Sequence, residues 1–161
     1  MRRQGIVGLE LAALVMAGPA YAQSGTLSAQ DYAEIQQLYA RYNHAIDSGD
    51  AEGYAGTFTP DGVFNTNNGR EALLTFVRTY TKNNGANRRH WNTNLLITPT
   101  PEGANGSVYL FLLDITTRPP SIGATLKYED ELVKTAQGWR FKKRITKPDV
   151  APVSAAAKPP Q

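Results

Sequence analysis

The sequence contains no cysteine. That excludes a disulfide framework, a thiol nucleophile and a zinc–thiolate site. It contains only two histidines, His44 and His90, 46 positions apart, which do not build a metal first shell. No metal and no organic cofactor is therefore expected. Beyond the first two dozen positions no apolar run reaches the length of a spanning helix, so no membrane association is expected of the mature chain. Charge of one sign is also in short supply. The formal net charge is +3, and removing Arg2, Arg3 and Glu10 with the first 22 residues leaves +2. Near-neutrality over this length gives no reason to expect nucleic acid. One basic run, Arg140, Lys142, Lys143, Arg144 and Lys147, is interleaved with Trp139, Phe141 and Ile145 and reads as a strand with one basic, solvated face. There is no glycine-rich phosphate loop, since Gly103-Ala104-Asn105-Gly106 falls in a hairpin turn.

What is present suits one domain of 161 residues with a sizeable core. Arg2 and Arg3, the apolar run Ile6 to Ala17 and the small-x-small site Ala20-Tyr21-Ala22 read as a signal peptide over residues 1–22, although Glu10 interrupts the run. The alternative is an uncleaved anchor. A cleaved signal predicts a periplasmic or secreted protein. Residues 23–148 form the folded domain, and the alanine- and proline-rich tail, 149–161, is expected to be disordered.

Within the domain, Ser28 and Asp31 form a capping-box-like start, and Tyr32, Ile35, Leu38, Tyr39, Tyr42 and Ile46 fall on one helical stripe that ends at Gly49. Asp50 caps a short second helix over 51–58 that carries Tyr54 and Phe58 inward. Thr59-Pro60-Asp61-Gly62 predicts a turn before a short strand, Val63-Phe64-Asn65. A third helix spans 70–82, with Leu73, Leu74, Phe76, Val77 and Tyr80 on its buried side. Strands are predicted over 88–98, 107–117, 125–135 and 139–146. Helices followed by a run of long antiparallel strands define an α+β fold. A sheet of that length curls, and three helices covering its concave side leave a pocket for a hydrophobic small molecule.

These motifs resemble a known family. Tyr42-Asn43-His44-Ala45-Ile46-Asp47-Ser48-Gly49-Asp50, Phe58-Thr59-Pro60-Asp61-Gly62-Val63-Phe64, Gly69-Arg70, Arg89-His90-Trp91-Asn92-Thr93-Asn94 and Gly138-Trp139-Arg140-Phe141 are similar to the SnoaL-like branch of the nuclear transport factor 2-like superfamily. The resemblance implies a cone-shaped, curved antiparallel sheet with three N-terminal helices, enclosing a pocket and commonly forming a homodimer. The family includes dehydratases, ketosteroid isomerases, polyketide cyclases, epoxide hydrolases and members that only bind. Asp47 and His90 match the aspartate–histidine pair of its dehydratases, and Tyr42 matches a tyrosine slightly before that aspartate. Asp114 and Arg144 are looser matches to a second aspartate and a late arginine, with Lys147 competing for the latter. The second histidine of scytalone dehydratase has no counterpart between Val108 and Leu113.

On the residues themselves, His90 alternates with Asn92 and Asn94, so the three share a face that is either a pocket wall or the solvent side. A carboxylate beside an imidazole makes a general base near neutral pH. The expected catalytic set is Asp47, His90 and Tyr42. The expected substrate contacts are Asn92, Asn94, Asp114, Arg144 and Tyr54. His44 is expected at the surface. The expected activity is a cofactor-independent lyase, a dehydratase or related elimination, or an isomerase. The alternative is a non-catalytic binding or dimerisation module.

Overall fold

The computed structural model describes residues 25–149; the expected signal peptide and all but the first residue of the expected tail lie outside them. The chain begins with helix α1 (Ala29–Ser48), and both of its ends are set by local sequence. Ser28 accepts from the Asp31 amide while the Asp31 carboxylate accepts from the Ser28 amide, a complete capping box. Gly49 closes the helix at φ 76°, a left-handed conformation costly for any side chain, and donates back to Ala45 and Ile46. Ile35, Leu38, Tyr39, Tyr42 and Ile46 are buried as their spacing predicts. Tyr32 is 37% exposed instead, and Asp31 is buried in its place. The reason is an anchor: Asp31 accepts from the Lys134 ammonium at 2.7 Å and the Trp139 indole at 3.0 Å, tying the helix start to the sheet. Those donors, Lys134 first, hold the Asp31 carboxyl well below the usual carboxylate range.

Helix α2 (Ala51–Ala55) is capped by Asp50, which accepts from Gly53 at 2.9 Å. It stops earlier than expected, because Phe58 already belongs to strand β1 (Phe58–Phe64). The expected turn at Thr59–Gly62 is absorbed inside that strand as an irregularity: Phe58 pairs with Phe141, and Val63 with Lys143. A two-residue strand β2 (Asn67–Asn68) and helix α3 (Arg70–Asn84) come next. Four long strands complete the chain: β3 (Arg88–Thr100), β4 (Gly103–Asp114), β5 (Ser121–Thr135) and β6 (Gly138–Pro148).

The sheet runs in the order β2-β1-β6-β5-β4-β3. Its long strands are antiparallel, but β1 pairs parallel to β6, so the sheet is mixed rather than purely antiparallel. The sheet curls without closing, and the three helices cover its concave face. The core lies between them, where Tyr39, Tyr42, Tyr54, Phe58 and Phe141 meet edge to face or tilted at 4.8–6.0 Å. The outer edge of β3 is left free, and α1 runs beside it.

One irregularity in β3 decides which of its side chains face the helices. Asn94 adopts φ 57°, and the register with β4 shifts between Thr93 and Leu96. This bulge inverts the alternation. His90 faces inward and Asn92 is half-buried, Asn94 and Leu96 are exposed, and Leu95 and Ile97 pack on the core. The face of His90, Asn92 and Asn94 expected from strict alternation is therefore cut at Asn92.

Candidate functional site

The last turn of α1 and the first residues of β3 bring Asp47 and His90 together across 43 positions. Asp47 Oδ1 lies 2.6 Å from His90 Nδ1, and Asp47 Oδ2 accepts from the His90 backbone amide at 3.1 Å. The two contacts fix the carboxylate, and the ring contact places a proton on Nδ1 whenever the imidazole is neutral. Nε2 makes no hydrogen bond to any described residue. The pair is partly shielded, with side-chain exposures of 5% for His90 and 14% for Asp47. It forms part of the wall of a cleft of about 760 Å³ bounded by Asn43, His44, Arg89 and Trp91. A second cleft of about 350 Å³ continues along the α1–β3 groove and shares Ala40 and Asn43 with the first. Asn92, Asn94 and Val108 lie on it. His44 is exposed on the rim, as its helix position predicts.

The other expected site residues lie elsewhere. Tyr42 and Tyr54 have no exposed surface, and their hydroxyls hydrogen-bond each other at 3.2 Å. Burial pushes both phenols upward. Neither borders the cleft of Asp47 and His90. Arg144 is also fully buried and forms a two-pronged pair with Asp130 at 2.7 and 2.8 Å. Its guanidinium carbon lies 4.0–4.7 Å from the ring centroids of Phe141, Tyr128, Tyr42 and Tyr39. Burial opposes that charge, but Asp130 overrides it and holds the arginine pKa well above its ordinary value. Tyr39 donates to the same carboxylate. It can do so because its hydroxyl fills the space a side chain at Gly106 would need. Arg144 is thus a core ion pair, not a residue of the cleft wall, and the expected basic face of β6 is split. Lys143 and Lys147 pair outward with Glu131 and Glu129. Asp114 ends β4 and pairs with Arg88 at 2.7 Å while accepting from Thr116. It borders neither of the two clefts.

Sequence reasoning passed over three residues. Tyr80 of α3 sits with its ring 6.1 Å from the His90 ring, and its hydroxyl is buried without a partner. Burial, and then the nearby Asp47 carboxylate, push its pKa up to about 12, so the hydroxyl stays protonated as a donor. Nothing in a helical apolar stripe distinguishes such a tyrosine from a packing one. Asn43, four residues before Asp47, shares its helix face. Asp130 stands between the inward residues Tyr128 and Leu132, a carboxylate in an apolar alternation that signals a buried partner. Among the described residues no three histidine, aspartate or glutamate side chains converge to hold a metal.

Residues 28–145 match the SnoaL-like domain family. No curated protein sequence matches the chain. Among solved structures, Rv3472 from Mycobacterium tuberculosis, described as of unknown function, is 31% identical with a TM-score of 0.68, over 74% of this chain and 72% of that one. A protein from Catenulispora acidiphila, solved in complex with S-DNPA, is 33% identical with a TM-score of 0.67, over 76% and 96%. ActVI-ORFA from Streptomyces coelicolor is 25% identical with a TM-score of 0.68, over 76% and 98%. With the family match covering most of its length and the curled sheet and three helices in place, the chain belongs to the SnoaL-like domain family, a fold family that includes polyketide cyclases and dehydratases, and it shares the fold of an ntf2-like protein from Novosphingobium aromaticivorans.

Proposed function

We propose that the protein is a cofactor-independent lyase, a dehydratase or related eliminating enzyme, or an isomerase, acting by general acid–base catalysis on a hydrophobic cyclic or aromatic small molecule. The observation that carries this reading is the two-point clamp of Asp47 on His90 at a cleft wall, with Nε2 unengaged. Nε2 takes a proton from carbon. Asp47 stabilises the imidazolium that results. In an elimination the carbon–hydrogen electron pair becomes the new double bond, the carbon–oxygen bond breaks, and the imidazolium returns its proton to the departing hydroxide, which leaves as water. In an isomerisation the same proton returns to a different carbon. Tyr80 stands beside the imidazole without lining either cleft; its protonated, unpartnered hydroxyl is the donor we assign to a substrate oxygen that reaches past the cleft wall, since the Tyr42 hydroxyl is already engaged by Tyr54. Binding of S-DNPA by the Catenulispora protein supports a small-molecule occupant. The test is turnover of a panel of cyclic aromatic alcohols and ketones by wild type and His90→Ala. Loss of turnover in the variant is expected, and equal rates in both reject a catalytic His90.

A non-catalytic binding role is the second reading. It is favoured by the sealed position of Tyr42 and the absence of a histidine between Val108 and Leu113. Ligand binding without turnover across the panel would select it. We also propose export to the periplasm through residues 1–22, for which a mature chain beginning at Gln23 is the expected finding. A homodimer formed through the outer sheet face is proposed as well, because Trp91 pairs in register with Phe111 there and Tyr109 lies two residues away, with Trp91 63% and Tyr109 49% exposed. Sedimentation should give twice the mature mass, and Trp91→Glu should return it to one chain.

A further inference from the structure

Lys143, Arg144 and Lys147 of β6 each meet a carboxylate, but Arg140 does not: its hydrogen bond goes to the Trp139 carbonyl at 2.8 Å. Arg140 is half-buried on the wall of a cleft of about 170 Å³ between β1 and the β5–β6 turn. The ladder between β1 and β6 is open there. Between the pairs Phe58–Phe141 and Val63–Lys143, the stretch Thr59 to Gly62 stands against Lys142 alone, and Pro60 has no amide hydrogen to give. The wall includes Thr59, Pro60, Arg70, Thr135, Gln137 and Arg140. Thr59 is buried, and its hydroxyl is shut off from solvent without a hydrogen-bond partner. A valine would fill the same space and leave no donor stranded.

Positive charge is uncompensated around this cleft. Arg41 of α1 is near enough to act on Arg140: burial, and then the Arg41 charge, hold the Arg140 pKa below its ordinary value. Arg70 pairs with Glu52, which Arg78 also reaches at 3.6 Å, so one carboxylate serves two arginines. Glu34 lies with Arg41 on a neighbouring cleft, accepts from Gln30 at 2.9 Å, and pairs with neither Arg41 nor Arg140.

We propose that Arg140 and Thr59, with Arg41 beside them, bind a phosphate dianion at a site that shares no wall residue with the cleft of Asp47 and His90. A guanidinium only donates, and its fork matches two oxygens of one phosphate. Rotation about a single bond turns the Thr59 hydroxyl to a third oxygen. Two uncompensated arginines balance two negative charges, which a phosphate carries above its second ionisation and a carboxylate never does. The cleft is smaller than the roughly 300 Å³ at which pockets for drug-sized molecules begin, so it takes the phosphate group alone. Gln137 also borders the neighbouring cleft of about 340 Å³, which has room for the body of a phosphomonoester. Free phosphate and the phosphate end of a small monoester share this chemistry.

The experiment titrates the purified protein with inorganic phosphate by calorimetry at about pH 8, where the ion is doubly charged, with chloride at matched ionic strength as the control. Wild type should bind phosphate saturably and chloride not at all. Arg140→Gln should weaken phosphate binding by at least about tenfold, and Thr59→Val by about fivefold. Arg41→Gln should weaken it by about two- to fivefold. Without phosphate, Arg140→Gln should melt no lower than wild type, because the repulsion between the two arginines is relieved. Arg41→Gln, at an exposed position, gives the same reading if Arg140→Gln does not fold. Phenyl phosphate separates the two sources: binding tighter than that of inorganic phosphate assigns the site to a monoester, and weaker binding assigns it to the free ion. Equal heats from phosphate and chloride in wild type, or an unchanged phosphate affinity in the arginine variants, would overturn the site.

Discussion

Two shielded carboxylate–base pairs among the described residues differ in burial, in position and in the chemistry of the base. Asp130 and Arg144 join the central strands β5 and β6, have no side-chain exposure, and are enclosed by four aromatic rings. Asp47 and His90 join a helix end to the edge strand β3, retain slight exposure, and border a cleft. In the first pair the charge is permanent and most of its donors and acceptors are matched. In the second the base can gain and lose a proton, and one ring nitrogen is unengaged. The first arrangement builds the cone and the second is open to a reactant. Edge position contributes to the difference, because beside the unpaired edge of β3 the sheet leaves a cleft between the strand and α1.

The largest expected effect is on the sealed pair. Arg144→Met leaves Asp130 buried without its partner and should lower stability by about 3–5 kcal/mol in urea unfolding. A variant that kept its stability and lost only ligand binding would move Arg144 from the core to the site. Next come the edge variants. His90→Ala and Asp47→Asn should each lower kcat by roughly 10²–10⁴-fold. They should change stability by only about 1 kcal/mol, since a cleft-side hydrogen bond is removed from a site water can enter. Smaller again is the contrast between two tyrosines. Tyr80→Phe should reduce kcat by about tenfold or more with KM nearly unchanged. Tyr42→Phe should leave kcat within about twofold and act on stability through the lost bond to Tyr54.

The smallest effect is on pH dependence and concerns the core alone. Tyr39, Tyr42, Tyr54 and Tyr128 all have raised pKa values, with burial the largest cause in each. A phenol whose folded pKa exceeds its unfolded value gives stability that is complete below the unfolded value, about 10, and is lost as pH rises through the folded one. On the alkaline side, the stability these phenols contribute should therefore decline above about pH 10. Tyrosinate absorbance near pH 11 should exclude these four core phenols until the core opens cooperatively. Early titration of all four core phenols would contradict the sealed half of the comparison.

Much of this arrangement is legible in the sequence where interactions are local. Ser28, Asp31, Gly49 and Asp50 set the helix ends through caps formed within four residues, and the structure reproduces them. The proximity of Asp47 and His90 came from the family resemblance, not from spacing, because a contact across 43 positions leaves no periodic trace. What sequence reading missed depends on register. Thr59–Gly62 has turn chemistry, yet it is held in β1 by parallel pairing with β6, which local residues do not announce. The bulge at Asn94 reverses the faces of β3, so Asn94 and Leu96 point away from the core while Leu95 and Ile97 take the inward positions. Arg144 matched a ligand-binding arginine in type, but Asp130 on the neighbouring strand turns it into a core residue.

Proton exchange at the carbon next to a cyclic ketone's carbonyl tests the central claim most directly, since it needs the base and no leaving group. With 1-tetralone in deuterated buffer, wild type should catalyse deuterium uptake at that carbon, and His90→Ala should lower the rate at least about a hundredfold while keeping its fold. Equal uptake by the two proteins would contradict the assignment of His90, held by Asp47, as the base of the edge cleft.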